Sequence, residues 1–131
     1  MADPNYPEDL KYNADHDWAR IDPDNPAEAT FGITWYAQDT LGEIVFFTPP
    51  PVGAKLAKDE HYTEVESVKA VSDVVAPLSG EVIEVNESLT NEPQKINEDP
   101  YGDGWLVRVR LTDPAEAQEL MDAATYKATL P

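Results

Sequence analysis

The residue with the clearest chemical potential in this chain of 131 residues is Lys69, one of only six lysines. It stands between two stretches rich in strand-forming residues, 63–68 and 70–77. If these stretches pair, Lys69 lies at or near the tip of a β-hairpin, with its long flexible stem in water. An amine on such a rigid base is a good acceptor for an acyl cofactor such as lipoate or biotin. Spacing alone does not decide, because an exposed lysine at a hairpin tip is more often a solubilising charge.

No other group of reactive residues forms a catalytic or metal-binding pattern. No serine lies in a Gly-x-Ser-x-Gly turn or close in sequence to a histidine. The only histidines, His16 and His61, are far apart, and a surface or strand-edge position suits them better than a metal site. Residues 22–25 resemble the start of a calcium loop, but Pro26 occupies a ligand position and the next glycine is missing. We therefore expect neither an autonomous enzyme nor a metal centre.

Acidic residues dominate the charge, with 26 aspartates and glutamates against nine basic residues and a net charge of -17. A surface of this sign repels nucleic-acid phosphates and anionic lipid headgroups, so we expect no nucleic-acid or membrane partner. The same charge could steer encounters with basic patches on partner proteins, or it could only confer solubility. The chain contains no cysteine, which removes disulfides, thiolate metal sites and cysteine nucleophiles.

The first residues are polar and acidic, with no basic or apolar targeting segment. The sequence therefore predicts a cytoplasmic bacterial protein without a targeting sequence. Nothing indicates a coiled coil or a large apolar patch, so we expect a monomer.

Short alternating segments predict a mainly β chain. The predicted strands cover residues 16–21, 29–33, 43–48, 61–68, 70–76, 81–86 and 105–111. Thr34 and Gly42 predict the start and stop of a short helix over 35–41. Capping residues at Asp113 and Asp122 predict two helices near the C-terminus, the second over 123–129.

These elements divide the chain simply. Residues 1–10 are predicted to be a loose N-terminal tail, and residues 11–131 a single domain. A helical C-terminal extension begins at about residue 113, and residues 87–104 are predicted to be irregular.

The residues around Lys69 carry a family resemblance. Glu66-Ser67-Val68-Lys69-Ala70-Val71-Ser72-Asp73 closely resembles the lipoylation motif of glycine cleavage H proteins. Further blocks resemble the family in the same order: His16-Asp17-Trp18, residues 32–45, 76–82 and 97–106. Asp17 stands where the family usually has glutamate. The resemblance covers roughly residues 10–130.

Related carriers differ beside the modified lysine. Lipoyl domains of 2-oxoacid dehydrogenases typically have aspartate where this chain has Val68, and biotin carriers have methionines on both sides. The resemblance is therefore specific to the H-protein family.

The resemblance implies a lipoyl-domain-like barrel-sandwich hybrid, with a short helix after the second strand and helices at the C-terminus. It implies lipoate attached covalently to Lys69, and no catalytic residue in the chain. The expected role is a non-catalytic carrier that takes an aminomethyl group and reducing equivalents between enzymes. The expected partners are glycine decarboxylase (a pyridoxal-phosphate enzyme), aminomethyltransferase, dihydrolipoamide dehydrogenase and a lipoyl-attaching enzyme.

The resemblance also implies a surface cleft for the loaded arm, in which carboxylates hold the amine and burial excludes water. The positions that match are Asp15, Asp17, Tyr36 and Asp73. Ordinary solvated aspartates remain an alternative. Glu66 and Asp73 are also candidates for recognition by the lipoyl-attaching enzyme.

Two other interpretations stay open from sequence. One is a lipoyl carrier or relay for another lipoate-dependent complex, and the other is an unmodified structural homologue. An enzyme is a weaker third.

Overall fold

The computed structural model describes residues 5–131, and within that range the chain forms nine short strands and five short helices. The strands are β1 Lys11–Tyr12, β2 Asp17–Ile21, β3 Glu28–Ile33, β4 Ile44–Thr48, β5 Lys55–Leu56, β6 His61–Ser67, β7 Val71–Val75, β8 Gly80–Val85 and β9 Val107–Leu111. The helices are α1 Trp35–Leu41, α2 Ser88–Asn91, α3 Lys95–Glu98, a 3-10 helix Pro114–Glu119 and α4 Ala123–Thr129. The prediction of a mainly β chain is confirmed.

The strands form two antiparallel sheets. One has six strands in the order β1-β2-β3-β9-β8-β5, and the other has three in the order β4-β6-β7. A single apolar cluster joins the inner faces of both sheets, including Phe31 and Val109 from the first and Phe47 and Val65 from the second. These four side chains are at most 3% exposed. Burial between two sheets is therefore the main source of stability.

A second cluster, rich in aromatic residues, lies beside β1 and β2. Trp18 is fully buried in it, and its indole N–H donates to the carbonyl of Pro100 at 3.1 Å. Gly32, opposite Trp18 on β3, leaves room for the indole, since a Cβ there would lie 2.5 Å from the ring. Tyr12 stacks on Tyr126 of α4 with ring centroids 4.8 Å apart. This cluster fixes the ends of β2 and α4 against each other.

Local capping chemistry explains the helices that the sequence predicts correctly. The side chain of Thr34 accepts from the Ala37 N–H, and Gly42 ends α1 with φ at 82°, a conformation that favours glycine. Asp122 accepts from the Thr125 N–H at 2.8 Å and starts α4. The segment after Asp113 is helical as predicted, but it forms six residues of 3-10 helix.

The structure corrects three other expectations. Tyr6 and Leu10 are 7% and 1% exposed in the second cluster, so residues 5–10 are not a loose tail, while residues 1–4 lie outside the described range. Residues 87–104 contain α2 and α3, so that segment is not wholly irregular. The two-residue strands β1 and β5 were not predicted, and because β1 comes first, α1 follows the third strand.

Across residues 5–131, no helix is long and apolar enough to cross a membrane.

Candidate functional site: the hairpin tip

Strands β6 and β7 form the predicted hairpin, and Lys69 occupies its tip. The last paired residues are Glu66 and Val71, and β6 ends at Ser67. The Ser67 N–H donates to the Ala70 carbonyl at 2.8 Å. The Ser67 hydroxyl oxygen accepts from the backbone N–H groups of Lys69 and Ala70, at 3.3 and 3.1 Å. Ser67 therefore holds the turn from inside, where it is only 5% exposed, and Lys69 is left pointing outward.

The Lys69 side chain is exposed and lies beside a bare stretch of backbone. Among residues 5–131, no carboxylate forms an ion pair with its amine. A Cβ built on Gly42 would lie 3.5 Å from Lys69 Cε, so the stem passes over this glycine. A primary amine on a flexible stem over a rigid turn can be acylated without rearrangement of the hairpin.

A polar network holds the backbone on which the stem lies. Asn97, just before the end of α3, donates from Nδ2 to the Gly42 carbonyl at 2.8 Å and to Gln38 Oε1 at 3.0 Å. Its Oδ1 accepts from the Ile44 N–H at 2.8 Å. One amide thus joins the end of α1 to the start of β4. Sequence reasoning did not single out Asn97 or Gln38, because neither residue type signals such a role.

The network reaches the hairpin tip through β4. The Val68 N–H donates to the Glu43 carbonyl at 3.3 Å, and Ile44 pairs with Ser67. The tip is therefore supported by the neighbouring strand as well as by its own turn.

The two acidic residues of the motif lie on the outer surface of the hairpin. Glu66 is exposed between Phe46 on β4 and Val71 on β7. The Asp73 side chain is 70% exposed, and its Oδ1 lies 3.6 Å from His61 Nε2. Both carboxylates are available to a partner protein that approaches the hairpin from outside.

Asp17, one of the four candidate cleft residues, is buried, with 2% exposure. Its Oδ2 accepts from Asn13 Nδ2 at 3.1 Å, and its carboxylate also accepts from the Val75 N–H. Burial raises the pKa of the Asp17 carboxyl well above its ordinary value, although the Asn13 hydrogen bond opposes the shift. The carboxyl thus ties the start of β2 to the end of β7.

The other candidate cleft residues lie at the surface. Asp15 is exposed, and its backbone N–H donates to Asn13 Oδ1 at 3.0 Å. Tyr36 is half-buried, with its ring centroid 4.7 Å from that of His16. Asp15, Asp17 and Tyr36 therefore gather around His16 and the first turn of α1, whereas Asp73 lies on β7, two residues before the Asp17 contact.

His16 is the residue in this region that sequence reasoning did not assign to the cleft. Its Nδ1 lies 2.8 Å from the Tyr126 hydroxyl, which is 2.8 Å from the Thr34 hydroxyl. Burial lowers the pKa of the His16 imidazole, so its neutral form is favoured. The signal for it was the His16-Asp17-Trp18 block.

Comparison with known proteins decides the family. The sequence model described as "Glycine cleavage H-protein" matches residues 10–131. The glycine cleavage system H protein of Symbiobacterium thermophilum is 48% identical over 124 residues, which covers 95% of this chain and 94% of that protein. The one from Chromobacterium violaceum is 52% identical over 122 residues, covering 93% and 94%. The chain belongs to the glycine cleavage H-protein family.

A solved structure agrees with this family assignment. The crystal structure of a glycine cleavage system H protein from Mycobacterium marinum has a TM-score of 0.84 and 41% identity, and the match covers 93% of this chain and 96% of that one. The predicted resemblance and the barrel-sandwich fold are confirmed in this family member. In residues 5–131, no three histidine, cysteine, aspartate or glutamate side chains converge as a metal site would require.

The buried Asp17 of this family member gives a pH-dependent prediction. Because its folded pKa is raised, the folded state loses stability as pH rises from the unfolded pKa, about 4, towards the folded value. Asp17→Asn removes that loss, so the free energy of unfolding of the variant, relative to the unsubstituted protein, should increase between pH 4 and pH 8. Urea unfolding at several pH values measures it.

The matched control is Asp15→Asn, which removes one charge from an exposed side chain two residues away. A relative stability of Asp17→Asn that stays constant with pH, or follows the Asp15→Asn trend, would contradict the assigned burial effect.

Proposed function

We propose that this chain is the lipoyl carrier of a glycine cleavage system, with lipoate joined to Lys69 by an amide. The observation that carries the proposal is the position of Lys69, exposed at the tip of a braced hairpin within the motif 66–73. Membership of the H-protein family supports the same role.

The Lys69 amine fits this attachment chemically. An attaching enzyme must supply lipoate as an activated carboxylate, either an acyl adenylate or a thioester. The neutral amine attacks the carbonyl carbon, a C–N bond forms, and the bond to the leaving group breaks with its electron pair. The nitrogen then loses one proton to a base or to water, and no atom changes oxidation state. Lys69 has no ion pair with a described carboxylate to break first.

When bound, lipoate supplies a reversible disulfide–dithiol couple that carries the aminomethyl group and electrons of glycine cleavage. The chain's own residues supply the base of the arm. Ser67 keeps the turn closed, and Gly42 leaves the lysine stem free of a facing side chain. The chain itself is non-catalytic, and it acts in a bacterial cytoplasm.

The partners follow from this role. They are the pyridoxal-phosphate glycine decarboxylase, the aminomethyltransferase, dihydrolipoamide dehydrogenase and the enzyme that attaches lipoate. Carriage for a different lipoate-dependent complex is the alternative, and activity with these enzymes discriminates it.

We further propose that the loaded arm rests in the region of Asp15, Asp17, Tyr36 and Asp73. Asp15 and Asp73 expose carboxylates that attract an ammonium group, and Tyr36 provides an aromatic wall beside them. Asp17 contributes from behind, because its buried carboxyl holds the Val75 N–H and so sets the position of β7.

The test of the carrier proposal is the intact mass of the protein coexpressed with a lipoyl-attaching enzyme. We expect one lipoyl increment per chain, and peptide mapping should place it on Lys69. An increment on a different lysine, or none, would overturn the proposal. A single increment on Lys69 without glycine-dependent loading by the decarboxylase would favour the alternative complex.

A further inference from the structure

Exposed apolar side chains are concentrated around Lys69. Among residues 5–131, five large apolar residues are prominently exposed. Four of them, Val45, Phe46, Val68 and Val71, belong to β4, β7 or the hairpin turn. The fifth, Val52, lies in the loop after β4. Scattered single residues would need no explanation, but this grouping on one small sheet marks an interaction surface.

Strand register places the largest members side by side. Phe46 pairs with Glu66, and Glu66 pairs with Val71, so the three side chains form one row across the outer face. Phe46 is 57% exposed and Val71 is 58% exposed. Val68, two residues beyond Glu66 at the turn, is 73% exposed. We call Val45, Phe46, Val68 and Val71, with Glu66 between them, the hairpin face.

An irregularity in β4 enlarges this surface. The register between β4 and β6 shifts between Ile44 and Phe46, so Val45 is an extra residue opposite β6. Val45 and Phe46 are both exposed, whereas Ile44 and Phe47 on either side are buried. A bulge thus turns two successive apolar side chains outward, a device often found beside functional sites.

Charge identifies the kind of partner. The next row across the sheet contains Thr48, Glu64 and Asp73, and Glu43 lies before β4, next to the turn. These three carboxylates are exposed, like Glu66, so an acidic rim surrounds the apolar centre. The partner must therefore present an apolar pocket with lysines or arginines around it.

Reach identifies which partner must touch this face. An enzyme that acylates Lys69 has to bring its activated carboxylate to Nζ itself, within the length of one lysine side chain of the turn. Val68 flanks the lysine, and the Phe46–Glu66–Val71 row is the last paired row before the turn. Enzymes that act on the far end of a long arm need no such approach.

We propose that the hairpin face is the docking surface for the enzyme that acylates Lys69. The inference rests on the proposed carrier function and specifies how the attaching enzyme recognises this chain. Phe46 and Val71 are the apolar anchors, and the rim carboxylates orient the basic partner.

The test measures acylation kinetics with the full chain as the varied substrate of a lipoyl-attaching enzyme. Phe46→Ser combined with Val71→Ser should lower kcat/KM at least about tenfold, mainly through KM, because buried aromatic anchors dominate interface energies. Val52→Ser is the matched control, since Val52 is 65% exposed but outside the hairpin face. It should be acylated like the unsubstituted protein.

The rim has its own variants. Glu64→Gln with Glu66→Gln should lower kcat/KM at low salt and weaken its salt dependence. Glu87→Gln, an exposed carboxylate outside the sheet, is the control and should change neither. Acylation of Lys69 by N-hydroxysuccinimidyl acetate, which needs no docking, should proceed at the same rate in every variant.

The remaining outcomes overturn the inference in distinguishable ways. Equal acylation of all variants would show that the hairpin face does not dock this enzyme, and the carrier role would stand. Equal acylation with slower glycine-dependent loading by the decarboxylase would assign the face to a later partner. An unsubstituted chain that is not acylated at all would overturn the inference and the carrier function together.

Discussion

Replacement of Lys69 by arginine is expected to abolish carrier function completely. Arginine keeps the positive charge and the approximate length, but its guanidinium stays protonated and cannot act as the acylated amine. Lys69→Arg should carry no lipoyl increment after coexpression with the attaching enzyme. In an assay with the decarboxylase, aminomethyltransferase and dehydrogenase, glycine-dependent activity should fall to the level without carrier.

The control for this variant is Lys55→Arg, which changes an exposed lysine on β5. It should be modified and active like the unsubstituted protein. Retained modification in Lys69→Arg would mean that a different lysine is used, and retained activity without modification would mean that no arm is needed. Either result would contradict the assignment of Lys69.

Replacement of Trp18 by alanine is expected to produce the largest loss of stability. Trp18 is fully buried, its ring fills the space above Gly32, and its N–H bonds to Pro100. Truncation of a buried tryptophan typically costs about 3–5 kcal/mol because a cavity remains. That is a large part of the roughly 5–15 kcal/mol that stabilises an ordinary domain. Urea unfolding followed by circular dichroism measures the change.

A second tryptophan offers the comparison. Trp35, the first residue of α1, is only partly buried at the edge of the same cluster, so Trp35→Ala should cost clearly less. A loss below about 1 kcal/mol in Trp18→Ala, or a larger loss in Trp35→Ala, would show that the second cluster is not organised around Trp18.

Local chemistry explains which elements could be predicted from sequence. Helix α1 was predicted with its observed bounds because Thr34 and Gly42 are strong start and stop signals. Helix α4 was predicted for the same reason, from Asp122. The hairpin around Lys69 follows from strand-forming residues on both sides of a short turn. In each case the deciding interactions lie within a few residues.

Elements made by distant contacts could not be predicted in this way. Strand β5 has only two residues, and it exists because Lys55 and Leu56 pair with β8. Tyr6 resembled part of a polar tail, yet it packs against Trp35 and Tyr126 from later segments. Short-range patterns contain no information about such partners.

The candidate site shows the same division. The position of Lys69 was predictable from its motif. The burial of Asp17 was not, because one aspartate among 26 acidic residues has no distinguishing sequence signal. The bracing role of Asn97 depends on the contact between α3 and the end of α1, which only the fold reveals.

The dependence of the hairpin tip on Asn97 has a consequence for the order of folding. The hairpin itself is local, since its last pair, Glu66 and Val71, is five positions apart, and it is expected to form early. Asn97 emerges from the ribosome nearly thirty residues after Lys69. The Gly42 carbonyl and the Ile44 N–H therefore wait for a partner that is synthesised later. A nascent chain that ends before residue 97 presents Lys69 on an unsupported turn, so the complete attachment site first exists when the C-terminal part of the domain has been made.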